Sequence, residues 1–247
     1  MYYRKYFSGT ISSNTDYRAT LSIANNVNQN NYYNQTAVIC LAIKSTLEDA
    51  GILCEYDAET HVFQIEGISL QILCTTGAGY IAYSANGISI GSQSYSPFSG
   101  TNYKFYVTLK GDKDGILQVF IGQYSNPAVE NYGFVIGKGI DLRDGQDIRV
   151  VFGGSIVGIG GGYILKDDAI LSEYKNTVSF GQKMTHYNNL NDNGKEVTLV
   201  ECVAQPGRFK LKNCYFGQTN LTVNEFYNIG GDIYYYMSQN ILVKCVN

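Results

Sequence analysis

The sequence predicts an α+β fold dominated by β structure: antiparallel sheets with one packed helix, plus a small β module at the C-terminus. Three observations point there. The chain of 247 residues carries 22 Tyr and 27 Gly but only 3 Pro. Tyr suits pleated, half-buried surfaces, and Gly, with the abundant Asn, suits the left-handed positions of tight turns. Apolar residues recur at period two along most of the chain, and only one stretch switches to period 3.6.

The first 33 residues read as one or two strands, with Tyr17, Ala19, Leu21 and Ile23 alternating, followed by an exposed polar arm over Asn25–Asn31. The helical stretch is NQTAVICLAIKSTLEDAG, where Ile39, Ile43 and Leu47 form one stripe beside Cys40 and Ala50. Asn34 or Thr36 is placed to cap its start, and Gly51 suits the left-handed position after its end. ILCEY and HVFQIE flank a four-residue hairpin loop, ISLQILC follows Gly67, and Asn86-Gly87 is the strongest hairpin signal in the chain. From Tyr103 to Leu165 five or six further antiparallel strands follow in the same pattern. Residues 166–195 are polar and turn-rich, so a connection is expected there. The predicted organisation is 1–33 strands and arm, 34–170 helix-backed β domain, 171–195 connecting segment and 196–247 small β module.

The formal net charge is −3 and charged residues make up 16 %, against about 25 % in a typical chain. Such a chain offers no concentrated basic face for nucleic acid. Its densest basic stretch, Arg208-Phe209-Lys210-Leu211-Lys212, alternates as the solvated side of a strand would. The glycine-rich run 150–165 is too short and too rich in Gly for a membrane-spanning helix, and reads as buried strand. MYYRKYFSGT lacks the apolar core of a signal peptide, so synthesis in a reducing cytoplasm and six free thiols are expected.

Candidate chemistry is sparse. Cys40, Cys54, Cys74, Cys202, Cys214 and Cys245 form no C-x-x-C pair and match no zinc spacing. A thiol nucleophile would need His61 or His186, of which His61 shares a hairpin with Cys54. GDKDG at 111–115 has the D-x-D-G of a calcium loop without the distant Glu, and serves equally as a tight turn. Gly158–Tyr163 contains G-x-G but opens into strand-like sequence, so no helix N-terminus awaits a phosphate. Asn34-Gln35-Thr36 and Asn220-Leu221-Thr222 match the glycosylation acceptor. No catalytic, cofactor or metal residues are assigned, and the chain is read as a non-enzyme.

The chain ends EFYNIGGDIYYYMSQNILVKCVN, a three-strand meander. Tyr234, Tyr235 and Tyr236 put aromatics on both faces of one strand, so both faces must be covered, by the chain itself or by a neighbour. Tyr227, Tyr234, Tyr235, Tyr236, Ile241 and Val243 are the interface candidates. This ending, Glu225–Tyr234 followed by Asn240–Cys245, resembles endings of virion structural proteins of tailed phages and prophages of Gram-positive bacteria. So does the Tyr/Gly/Asn-rich composition with no Trp and 2 His. The resemblance implies a tail, baseplate or fibre-associated protein made in the bacterial host cytoplasm and built into the virion. Its partners would be other virion subunits and further copies of itself, with no cofactor. A carbohydrate-binding module reading a cell-surface glycan is the second expectation, and a cysteine-dependent hydrolase the third.

Overall fold

The computed structural model describes residues 1–11, 30–75, 80–94, 98–99, 102–123, 133–154, 159–167, 169–170, 180–190, 196–204, 209–218, 221–222, 225–238 and 241–245. It is a β-dominated fold with antiparallel sheets and, among the described residues, one helix. The expected strand around Tyr17–Ile23 and residues 25–29 of the expected arm lie outside the described residues, while Asn30 and Asn31, also expected in that arm, open the helix. Two compact units divide the chain: Tyr3–Thr108 with Phe120–Gly133, and Met1–Tyr2 with Leu109–Val119 and Phe134–Asn247.

The first unit holds β1 (Tyr2–Thr10), α1 (Asn30–Asp49) and a five-stranded sheet. That sheet runs in chain order: β2 (Glu55–Asp57), β3 (Val62–Ile65), β4 (Ile68–Thr75), β5 (Tyr80–Ala85) and β6 (Ile88–Ser94). Each step between neighbours is an antiparallel hairpin. Asn86 and Gly87 both take positive φ, 48° and 78°, as the expected hairpin requires. Glu66-Gly67 does the same at 51° and 75°, a turn for which Gly67 was the only sequence signal. Phe63, Ile65, Leu70, Ile72, Ile81 and Tyr83 are buried, while the alternate positions Gln64, Ser69, Gln71 and Ser84 are not. One face is therefore core and the other solvated.

Helix α1 packs on that sheet through the expected stripe: Ile39, Cys40, Ile43 and Leu47 are fully buried. It starts at Asn30, earlier than either expected cap. Thr36 lies inside the helix, where its buried hydroxyl accepts the Cys74 N–H of β4 at 2.9 Å. A polar residue expected to cap the start of the helix is a helix-to-sheet tie. The C-terminus behaves as expected. Gly51 takes φ 72°, its N–H donates to Glu48 O, and Ile52 N–H reaches back to Leu47 O, the paired bonds of a Schellman end. The opposite side of the helix meets β1, where Lys5 Nζ donates to Ser45 Oγ and Asp49 Oδ2.

Strand β7 (Phe98–Ser99) and β8 (Asn102–Gly111) follow, then β9 (Ile116–Gln123). β1 is hydrogen-bonded to β8, so the N-terminal strand is part of this chain's own sheet. Arg4 lies 4.2 Å over the Tyr106 ring, and Phe7 stacks on Phe105 at 5.6 Å.

The second unit continues with β10 (Gly133–Asp141), β11 (Asp147–Gly154), β12 (Ile159–Lys166) and β13 (Ala169–Ile170). The described parts of the glycine-rich run, 150–154 and 159–165, are strand as expected, and 155–158 lie outside the described residues. β14 (Phe180–Leu190) and β15 (Glu196–Ala204) come next. β14 corrects the expectation of a connecting segment across 171–195: the polar stretch pairs along β15 through backbone bonds, which side-chain polarity does not report.

β16 (Phe209–Gln218) is the spine of this unit. One edge pairs with β15. Along the other, Phe209–Leu211 pair with β10 and Cys214–Phe216 pair with β19 (Ile241–Lys244), with Asn213 at φ 54° between the two stretches. The units are therefore not sequential. Residues 196–247 are built onto β10 rather than forming a module of their own, because β16 takes both as neighbours.

Candidate functional site

The C-terminal meander consists of β17 (Phe226–Ile229), β18 (Asp232–Ser238) and β19. Gly230 and Gly231, at φ 63° and 91°, make the first turn. β18 lies between the other two: Tyr234 is paired with Tyr227 and Lys244, and Tyr235 with Phe226 and Val243.

Successive tyrosines enter opposite cores. Tyr235 is fully buried in a cluster with Val135, Val150, Phe209, Ile241 and Val243. Tyr234 and Tyr236 sit in a second cluster with Leu199, Ile229 and Leu242, against which Tyr215 and Tyr227 pack. Tyr215 meets Tyr234 edge-on at 5.8 Å. Burial pushes the Tyr234 hydroxyl well above its ordinary pKa, with the nearby Tyr215 and Asp232 adding to the effect. The two-faced aromatic strand is thus covered by its own chain. Tyr234, Tyr235, Tyr236, Ile241 and Val243 are core, and burying one such ring contributes about 2–3 kcal/mol.

Tyr227 has a different place, on the outer strand. It is half-buried, and its hydroxyl accepts the Thr222 N–H at 2.8 Å and donates to Glu225 Oε2 at 3.0 Å. β17 pairs with β18 only, so among the described residues its outward edge has no strand beside it. Phe226 and Ile233 share one face of this hairpin with Asn228, and they are 49 % and 38 % exposed. Phe226 rests on Tyr235 at 5.0 Å, which fixes its ring against the core beneath. Phe226 and Ile233 were not among the expected interface residues, which the tyrosine run beside them dominates. The signal available was their place on the alternate positions of a terminal hairpin.

The other candidates are held in structural roles. His61 is buried at φ 54°, and its Nδ1 lies 2.8 Å from the Tyr56 hydroxyl. Burial depresses its pKa to about 4, opposed by Asp57, so the ring is neutral at pH 7. Burial pushes the Cys54 thiol up, and Glu48 adds to that, the reverse of what a thiolate nucleophile needs. Cys40 is raised further by burial, and Cys74 to about 11. In GDKDG, Asp112 accepts the Asp114 N–H, while Asp114 pairs with Lys138 at 3.3 Å. Among the described residues no group of His, Cys, Asp and Glu is arranged to hold a metal. Phe209 and Leu211 are buried while Lys212 pairs with Asp147 at 2.7 Å, so Lys210 and Lys212 lie on one side of a strand, and Arg208 is outside the described residues. Thr36 of the first acceptor motif is buried in α1. Cys202 and His186 lie on β15 and β14. Among the described residues no helix is long and apolar enough to cross a membrane.

No known protein family, curated protein or solved structure matches the chain.

Proposed function

We propose that this chain is a non-enzymatic structural component of a phage or phage-like particle, in its tail, baseplate or fibre region, assembling through β-rich subunit contacts. The observation that carries the reading is the edge of β17, with Phe226 and Ile233 open beside it. Strand edges of stable monomers are blunted by charge, Pro or cover. Here the strand itself, Phe-Tyr-Asn-Ile, has no charged side chain. The charges flanking it within the meander are Glu225 and the Asp232–Lys244 pair, which neutralise each other across 2.7 Å.

A second copy fits this edge. Antiparallel pairing about a two-fold axis between Tyr227 and Asn228 sets Phe226 opposite the partner copy's Ile229, with no like charges facing. Such a short strand gives a weak contact alone, and its strength comes from repetition in an assembly. The resemblance of the ending and the composition supports a virion as that assembly.

Mass spectrometry of purified particles from cells encoding the chain tests this. The reading requires the chain in several copies per particle, and reduced incorporation of Phe226→Lys. Particles without the chain would refute it.

A further inference from the structure

The solvated face of the β2–β6 sheet is more than a wetted surface. It forms a depression of about 610 Å³, inside the size range of small-molecule sites. Cross-strand register arranges its side chains in two rows. Asp57, Val62, Gln71 and Ser84 lie opposite one another on four successive strands. Two residues along, Glu55, Gln64 and Ser69 form the second row. Neighbours within a row are ~4.8 Å apart and the rows ~7 Å apart, so the grid presents polar groups at the spacing of ring hydroxyls and their linkages.

The amides in this grid are held in place. Gln71 Nε2 donates to Thr60 O at 2.7 Å, while its Oε1 faces the Ser84 hydroxyl at 3.4 Å. Gln64 Nε2 donates to Ser69 Oγ at 2.6 Å. Each amide nitrogen has a second hydrogen to offer, and its orientation is fixed before a ligand arrives. Preorganisation of this kind lowers the entropy cost of binding. Val62 supplies a small apolar floor between Asp57 and Gln71.

Charge narrows the ligand class. The lining includes Glu55 and Asp57 but no Lys, Arg or His, so phosphates and acidic polymers are repelled. Asp57 is already spent on its turn: Oδ1 accepts the Glu59 N–H at 2.8 Å and Oδ2 the Thr60 hydroxyl at 2.6 Å. That leaves Glu55 as the one uncommitted carboxylate, too few for a cation. We infer that this face binds a neutral, polyhydroxylated ligand, a short glycan, through Glu55, Gln64 and Gln71. The site is in the first unit and independent of the β17 edge, so either reading can fail alone.

The test is a neutral-glycan array on the full chain, followed by calorimetry on the strongest hit with Gln71→Ala and Glu55→Gln. Both positions face solvent, and circular dichroism checks that each variant keeps its fold. The inference expects a glycan hit weakened at least about tenfold by either change, the worth of one or two lost hydrogen bonds. It also expects that Phe226→Lys leaves the hit intact. A silent array, or a hit untouched by both variants, overturns it. Saturable calcium or phosphate binding at these residues overturns it too.

Discussion

Replacing Gly122 by Ala should disrupt the packing between β8 and β9 more than any surface change. A Cβ at Gly122 would stand 2.0 Å from Cζ and 2.2 Å from both Cε2 and the hydroxyl of Tyr106. Carbon contacts settle near ~3.5–4.0 Å, so the ring must retreat by roughly 1.5 Å. It has little room, since Tyr106 is fully buried, with Arg4 over its face at 4.2 Å and Tyr6 at its edge at 5.7 Å. Overpacking costs about 1–3 kcal/mol, and this approach is close enough to expect about 3. At ~2–4 °C per kcal/mol for a chain of this size, Tm should fall by roughly 6–12 °C. The assay is thermal denaturation followed by circular dichroism, with Gly87→Ala as control. Gly87 has positive φ but no atom within 4 Å, so Ala there costs only backbone strain, about 1–2 kcal/mol. Tyr106→Leu combined with Gly122→Ala should lose less than the sum of the single changes, by about 1 kcal/mol or more. A Gly122→Ala protein melting within ~2 °C of the parent, or strictly additive losses, would refute the reasoning.

Three further outcomes follow from named contacts. Thr36→Val keeps shape but strands the Cys74 N–H against a buried methyl, and should cost about 1–3 kcal/mol by urea denaturation. Native-state alkylation read by mass spectrometry should label Cys54 before Cys40 and Cys214, which are buried, and slowly at pH 7 because the Cys54 pKa is raised. The β10–β11 turn should be acid-labile. Burial would raise the Asp141 carboxyl, but the Arg143 N–H, Lys166 and the Arg143 guanidinium outweigh it and hold it below its ordinary value. Lys166 does the same for Asp144. Depressed carboxylates stabilise the fold above their ordinary pKa, and that stability is lost as pH falls through the folded values, below about pH 4. Tm measured against pH should drop there, and Lys166→Met should flatten the drop.

What the sequence made legible was local. The Ile39–Ile43–Leu47 stripe, Gly51 and Asn86-Gly87 each act through neighbours a few residues away, so their roles could be read directly. Thr36 and β14 could not be read this way. Thr36 answers to Cys74, and β14 is strand because β15 supplies backbone partners that no side-chain pattern encodes. The non-sequential units have the same origin, since β16 joins β10 to β19 across distant parts of the chain. At the C-terminus, alternation announced that both faces of Tyr234–Tyr236 are covered. Only the fold shows that the chain covers them itself, which leaves Phe226 and Tyr227 on the edge strand and Ile233 exposed on the strand beside it.

The most direct test of the assembly account is light scattering coupled to size-exclusion chromatography across a concentration series. The account predicts masses rising above the 27.3 kDa chain with concentration, and their return to one chain in Phe226→Lys/Ile233→Lys. A mass of one chain at every concentration, or association that the double substitution leaves unchanged, would contradict it.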